Sequence, residues 1–217
     1  MIPLTEEELV AKARALEGQP VGALLARSAP TDPVRTKGTA GETLERALGA
    51  TGQGAVHDFP ELGIELKTIP VTAEQKPIES TFVCSISLTD ADTQEWETSW
   101  VRSKLARVLF VPLVGAPKIP WRERIVGKAL LWSPTPEQED VLRGDFDDAL
   151  GLIGVGRIEE LDAYGGRWLQ VRPKARDGSV RTLAWGGDGE AIATIPRGFY
   201  LRTLFTGAIR ADPTAVP

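Results

Sequence analysis

A short apolar segment with charged residues at fixed spacing constrains the fold of this chain most. It reads DFPELGIELKTIP and runs from Asp58 to Pro70. Side chains two residues apart on a strand point to the same face, so Glu65 and Lys67 would be neighbours while Leu66 points the other way. A buried charge is costly unless it is paired, so such a strand must pair the two charges or direct them into a site.

The residues before this strand predict a turn that brings a second carboxylate close. The sequence PELG at 60–63 is turn-forming, and it would fold Asp58 back beside Glu65, with Lys67 next to both. Two carboxylates, a backbone carbonyl and water are ligands that suit Mg²⁺. Such an ion polarises a phosphoryl oxygen and activates water, and a neighbouring lysine orients that water or stabilises developing charge. The pattern therefore favours phosphodiester cleavage, and the spacing alone leaves a salt-bridged surface hairpin as the alternative.

Composition narrows the class of protein. The chain has 217 residues, of which 42% are apolar and 25% charged, which is typical of a globular protein with a substantial core. With one histidine, His57, and one cysteine, Cys84, the chain has no internal disulfide and no metal site built from several such residues. It lacks an apolar run of membrane-spanning length and a signal-peptide pattern at its start, so we expect a cytoplasmic protein without a membrane partner.

The charge of the chain gives two opposing indications about nucleic acid. The net charge of −5 argues against such a partner. Basic residues nevertheless gather in two segments, 97–128 and 167–181, whereas acidic residues gather at 137–148. A segregated basic surface binds phosphate groups even when the whole chain is acidic. Charge alone leaves open the alternative that both basic segments are ordinary solvated faces.

The order of predicted elements indicates an α/β fold. A capping box at Thr5–Glu8 opens the first helix, a second helix covers 21–27, and a third begins with a capping box at Thr39 and ends at Gly49. A long helix is predicted at 135–153, the segment 196–200 is expected to lead into a last helix, and 174–188 is predicted to be a loop. The predicted strands are 64–69, 81–88, 105–112, 129–132, 167–172 and 192–195. This order favours a mixed central sheet flanked by helices.

Seven segments, spread over nearly the whole chain, carry a resemblance to a known family. They are KGTAGETLERALG (37–49), DFPELGIELKTIPV (58–71), ESTFVC (79–84), WETSWVRSKLARVLFVP (96–112), LLWSP (130–134), LQVRPKA (169–175) and PRGFYLR (196–202). In order and spacing they are similar to the MutH family of methyl-directed DNA mismatch-repair endonucleases. The resemblance implies a single restriction-endonuclease-like domain over residues 1–217, α/β in class, with a mixed central sheet flanked by helices and two lobes around a DNA cleft.

The resemblance also implies roles for individual residues. Asp58 and Glu65, with the carbonyl of Leu66, are expected to bind Mg²⁺, and Lys67 is the expected catalytic lysine. The expected catalytic group also includes the carboxylate of Glu45 and a second lysine, Lys104. The residues expected to contact DNA are Lys37, Gly38, Glu79, Phe82, Arg172, Pro173 and Tyr200, the last as the sensor of adenine methylation.

The function that this resemblance implies is strand-specific nicking of double-stranded DNA. The unmethylated strand would be cut at hemimethylated GATC sites, 5′ to the G, by a monomer that the ATPase MutL activates after MutS recruits it. One alternative is a stand-alone type II restriction endonuclease at GATC, which would cut both strands without an ATPase partner. Another is a catalytically silent DNA-binding module of the same fold, which the intact set of Asp58, Glu65 and Lys67 disfavours.

Overall fold

The fold is known from a computed structural model, which describes residues 2–25, 40–52, 55–116, 118–161, 165–175 and 178–216. These residues form two compact units. The first comprises Met1–Glu79 and Ala106–Ser133, and the second comprises Ser80–Leu105 and Pro134–Pro217. Each unit is therefore built from two separate stretches of chain. Within the described ranges, no helix is both long and apolar enough to cross a membrane.

The first unit combines three helices with a four-stranded mixed sheet. Strand β1 pairs in parallel with β3, and β3 pairs antiparallel with β4 and β5. The helices are α1 (Glu6–Ala15), α2 (Val21–Leu25) and α3 (Ala40–Leu48), and the strands are β1 (Glu65–Val71), β3 (Val108–Val114), β4 (Ile125–Val126) and β5 (Leu130–Trp132). The sequence of β3 is VLFVPLV and all but its last residue are buried, as expected of a strand covered on both faces. Helix α3 packs its buried Leu44 and Leu48 in the same core as Leu66 of β1, and this places α3 beside the charged strand.

The second unit combines an antiparallel sheet, a two-stranded ribbon and three helices. The sheet has the strand order β2-β9-β6, and the ribbon pairs β7 with β8. The strands are β2 (Thr81–Ser85), β6 (Leu169–Pro173), β7 (Thr182–Trp185), β8 (Ala191–Thr194) and β9 (Arg197–Leu201), and the helices are α4 (Trp100–Leu105), α5 (Pro136–Gly154) and α6 (Thr203–Ala211).

A buried carboxylate fixes the start of β6 against the long helix α5. Asp145 of α5 accepts hydrogen bonds from the backbone N–H groups of Arg167, Trp168 and Leu169, at 2.6, 2.7 and 2.8 Å. Three such bonds satisfy the charge of a carboxylate that is almost wholly buried. The strand that carries Arg172 is thereby held in register on the helix.

The structure confirms the α/β class with a mixed sheet flanked by helices, and it corrects three local predictions. Residues 197–201 form strand β9 rather than a lead-in to the last helix, because β2 and β6 pair with it on both sides. Strand β7 lies inside the predicted loop 174–188, and the strand predicted at 81–88 ends at Ser85. Thr39, the expected cap of the third helix, lies outside the described residues. The organisation of 1–217 as one domain with two lobes stays a prediction.

Candidate active site

A tight turn precedes β1, as the sequence predicts. Residues Pro60–Leu62 form a single 3₁₀ turn, and Gly63 follows with φ of 64°, a left-handed conformation that glycine adopts at little cost. On either side of the turn, Phe59 and Ile64 exchange backbone hydrogen bonds of 2.9 and 3.2 Å. The turn therefore folds Asp58 back toward the first residues of β1.

The carboxylate of Asp58 is bound directly to the backbone of β1. The N–H of Glu65 donates to the carbonyl of Arg107, just before β3, whereas the N–H of Leu66 donates to Oδ2 of Asp58 at 2.8 Å. The N–H and C=O of one strand residue point to the same side of the strand. The Leu66 carbonyl therefore lies on the Asp58 side of β1, and two of the three expected metal ligands share one edge.

Glu65 and Lys67 form an ion pair on one face of β1, in agreement with their spacing. Lys67 Nζ donates to Oε1 of Glu65 at 2.7 Å, and the side chains are only 13% and 4% exposed. Leu66, between them, points to the other face and packs in the apolar core. The lysine compensates a carboxylate that would otherwise be buried and unpaired. This low exposure sets the pair apart from a solvated surface salt bridge.

Helix α3 contributes a further carboxylate to this site. Burial raises the pKa of Glu45 to about 7, with smaller contributions from the negative charges of Asp58, Glu42 and Glu65, while the charge of Lys67 opposes the rise. These interactions place Glu45 in the electrostatic field of the residues on the turn and on β1. At neutral pH its carboxyl group is therefore divided between the protonated and the ionised form.

The chemistry of these donors fits a hard divalent cation. Asp58 and Glu65 offer carboxylate oxygens and Leu66 offers a carbonyl oxygen, the ligand types that Mg²⁺ prefers. Part of the raised pKa of Glu45 comes from negative charge that one lysine does not offset, and a cation would relieve that repulsion. In the part of the chain that the structure describes, no group of three or more His, Cys, Asp or Glu side chains is arranged to hold a metal ion. The candidate ligand set is thus Asp58, Glu65 and the carbonyl of Leu66, with Glu45 nearby. We call these residues, together with Lys67, the cluster on β1.

Four other expected site residues belong to other segments of the chain. Lys104 belongs to α4 in the second unit, where its side chain is partly exposed. Glu79 is exposed at the end of the first stretch of the first unit. Lys37 and Gly38 lie outside the described residues, so their contact with DNA stays a prediction.

Three of the remaining expected DNA contacts, Phe82, Arg172 and Tyr200, lie on one face of the sheet in the second unit. Phe82 and Tyr200 are opposite each other on β2 and β9, and their rings meet edge to face with centroids 5.2 Å apart. The Cζ atom of Arg172 lies 5.9 Å from the centroid of the Tyr200 ring, and Pro173 follows as an exposed residue. We call this set, with Lys174, the aromatic–basic face.

The tyrosine on the aromatic–basic face keeps its proton at neutral pH. Burial raises the pKa of Tyr200, and the nearby charge of Arg172 only partly opposes this. Gly198, two residues earlier on β9, makes room for the aromatic pair, since a Cβ atom there would lie 2.9 Å from Cε2 of Phe82. The phenol can therefore both donate and accept a hydrogen bond beside a cation.

The expected DNA contacts do not include three residues of this region. Lys174 Nζ lies 4.2 Å from the centroid of the Phe82 ring, and Gln170, which is buried, donates to Oγ of Ser80 at 2.5 Å. The two-residue period of a strand could have found two of them, because Gln170, Arg172 and Lys174 follow one another at intervals of two residues along β6 and just beyond it. Ser80 gives no such signal, because its contact depends on the pairing of distant strands.

Comparison with known proteins identifies the family. A family model described as DNA mismatch repair enzyme MutH matches residues 49–145. The DNA mismatch repair protein MutH of Serratia proteamaculans is 47% identical over 213 residues, which is 96% of this chain and 93% of that protein. The protein of the same name from Vibrio cholerae is 44% identical over 211 residues, or 95% and 96% of the two chains. The chain belongs to the MutH family.

The region matched by the MutH family model contains most of the cluster on β1. It includes Asp58, Glu65, Leu66, Lys67 and also Lys104, whereas Glu45 precedes it. The aromatic–basic face is divided, because Phe82 lies inside the matched region and the residues of β6 and β9 lie beyond it. The MutH relatives align over nearly their whole length, and so cover both regions.

Proposed function

We propose that this protein is a DNA mismatch-repair endonuclease that nicks the unmethylated strand of double-stranded DNA at hemimethylated GATC sites, with Mg²⁺ as its cofactor. Membership of the MutH family supports the repair and nuclease assignment. The observation that carries the chemistry is the hydrogen bond from the Leu66 N–H to Asp58, which, together with the Glu65–Lys67 pair, gathers two carboxylates, a carbonyl and a lysine at one strand.

Each residue of the cluster has a role that follows from its surroundings. Asp58, Glu65 and the Leu66 carbonyl would hold Mg²⁺, which when bound neutralises charge on the phosphate and makes a bound water more acidic. Lys67 is fixed by its bond to Glu65, so its ammonium group can donate a hydrogen bond to the attacking water or the scissile phosphate. Glu45, with a pKa of about 7, can accept or release a proton at its carboxylate oxygen near neutral pH.

The second unit would supply sequence recognition and further charge. Arg172 is exposed and can form paired hydrogen bonds with the O6 and N7 atoms of guanine in the major groove. The phenol of Tyr200 can contact the N6 amino group of adenine, where a methyl group would alter the contact. Phe82 and Pro173 would complete this surface, and Lys104 would neutralise charge that develops on the phosphate. Lys37, Gly38 and Glu79 belong to the proposed DNA contacts through the family resemblance.

The regulatory part of the proposal rests on the family. We expect MutL to activate the protein, with MutS acting indirectly by recruiting MutL, and we expect a cytoplasmic monomer. A stand-alone type II restriction endonuclease with the same centre would differ in two measurable respects. It would cut both strands, and it would not respond to MutL.

A plasmid-nicking assay tests the proposed function. A supercoiled plasmid with one hemimethylated GATC site is incubated with the protein and Mg²⁺ or chelator, with and without MutL, and the nicked strand is mapped. Nicking of the unmethylated strand that requires Mg²⁺ and increases with MutL supports the proposal. Cleavage of both strands without MutL would favour the restriction enzyme, and the absence of any incision would favour the silent DNA-binding module.

A further inference from the structure

A hydrogen bond between two polar side chains spans the sheet of the second unit. Gln170 on β6 is only 5% exposed, and its Nε2 donates to Oγ of Ser80, which immediately precedes β2, at 2.5 Å. Strands β2 and β6 are the outer strands of this sheet and β9 lies between them. The hydrogen bond therefore crosses the central strand. We call it the Ser80–Gln170 bridge.

The bridge lies beside the tyrosine of the aromatic–basic face. Gln170 is directly opposite Tyr200 in the pairing of β6 with β9, and Phe82, two residues after Ser80, is opposite Tyr200 in the pairing of β2 with β9. Tyr200 is thus flanked by an aromatic ring on one strand and by the amide of the bridge on the other. A buried amide requires a hydrogen-bond partner, and the Ser80 hydroxyl provides one for its Nε2.

The same hydroxyl also reaches the arginine of this face. Arg172 Nη1 lies 3.5 Å from Oγ of Ser80, at the long end of hydrogen-bond distances, and its Cζ lies 5.9 Å from the Tyr200 ring. A serine hydroxyl has two acceptor sites, so it can accept from both Gln170 and Arg172. An exposed arginine otherwise samples many rotamers, and ordering it on DNA costs free energy. A hydrogen bond to Ser80 would limit that freedom before DNA is bound.

We propose that Ser80 and Gln170 are positioning residues for sequence recognition: the bridge between them holds Arg172 beside Tyr200 and so increases discrimination between the target site and altered sites. This inference rests on the proposed function, because it acts through contacts of Arg172 and Tyr200 with bases. It adds to that function two residues that are not among the expected site residues.

Ser80→Ala tests the bridge with two matched comparisons. The variant is compared with Ser80→Thr, which keeps the hydroxyl, and with Ser87→Ala, which removes an exposed hydroxyl from the loop after β2. The readouts are incision at GATC relative to a site with one base pair changed, and affinity for random-sequence DNA. Loss of a hydrogen bond to a charged group should lower the incision ratio about tenfold in Ser80→Ala. Ser80→Thr and Ser87→Ala should keep the wild-type ratio, and random-DNA affinity should stay unchanged in all three.

A double-mutant comparison shows whether Ser80 acts through Arg172. In an Arg172→Ala background, Ser80→Ala should have no further effect on the incision ratio, because the group that it positions is absent. Gln170→Met, which keeps the length of the side chain but removes the amide donor, should also lower the incision ratio. The inference is overturned if Ser80→Ala behaves like Ser87→Ala, or if it lowers incision equally with and without Arg172. Failure of the unsubstituted protein to incise GATC sites would instead overturn the proposed function and this inference with it.

Discussion

Replacement of Glu45 by glutamine should stabilise the metal-free protein, and the increase in its free energy of unfolding should become larger as the pH rises. Burial and the surrounding carboxylates raise the pKa of Glu45 from its ordinary value of 4.5 to about 7, so the ionised form is unfavourable in the folded state. The folded protein binds this proton more tightly than the unfolded chain does. The stability that the protonated group confers is complete below about pH 4.5 and is lost as the pH rises through about 7. Glutamine resembles the protonated form and does not titrate.

The size of the effect follows from the shift in pKa. One pKa unit corresponds to about 1.4 kcal/mol, so the full shift would be worth roughly 3 kcal/mol. Glu45 is only partly buried, and screening by solvent reduces this figure, so we expect a difference of about 1–2 kcal/mol between variant and wild type at pH 8. The difference in the free energy of unfolding between variant and wild type should be close to its minimum near pH 4.5.

Urea unfolding of both proteins in chelator, across about pH 4.5 to 8, measures this difference directly. Glu61→Gln, at an exposed position in the turn before β1, is the control and should show no such trend. Addition of Mg²⁺ should reduce the difference in the free energy of unfolding by stabilising the wild type, because a cation relieves repulsion among the carboxylates. A difference that does not change with pH, or a Glu45→Gln variant less stable than wild type at pH 8, would refute the reasoning.

Three further predictions concern incision and recognition. Asp58→Ala, Glu65→Ala and Lys67→Ala should each abolish nicking in the plasmid assay while DNA binding persists, with Glu61→Ala as control; substantial nicking by any of the three would remove that residue from the centre. Tyr200→Phe should narrow the difference in incision rate between hemimethylated and fully methylated sites, and an unchanged difference would exclude Tyr200 as the sensor. Arg172→Ala should lower incision at GATC far more than affinity for random DNA, whereas equal losses would mean that Arg172 contacts only phosphate.

The part of the candidate site that sequence reasoning anticipates is local. The turn at 60–63, the return of Asp58 to β1 and the shared face of Glu65 and Lys67 follow from turn chemistry and the two-residue period of a strand. The proximity of Glu45 follows from neither, because it requires α3 to pack on β1 through apolar residues elsewhere on the helix. The family resemblance supplied this residue.

The parts that sequence reasoning misses depend on pairing between distant segments. The sequence of β9 predicts an approach to a helix, because the stability of this strand comes from neighbours on both sides that lie far away in the sequence. The Ser80–Gln170 bridge joins residues that are 90 positions apart. Neither local propensity nor periodicity encodes which strands become neighbours.

The discontinuous architecture of the two units has a consequence for the order in which the molecule is made. Strand β1 pairs with β3 along its whole length, and the stretch 80–105, which belongs to the other unit, separates the two in the sequence. A nascent chain that ends before Ala106 would hold Asp58, Glu65 and Lys67 without the strand that pairs with β1. The sheet that supports the candidate site can therefore be completed only after synthesis has passed the middle of the polypeptide.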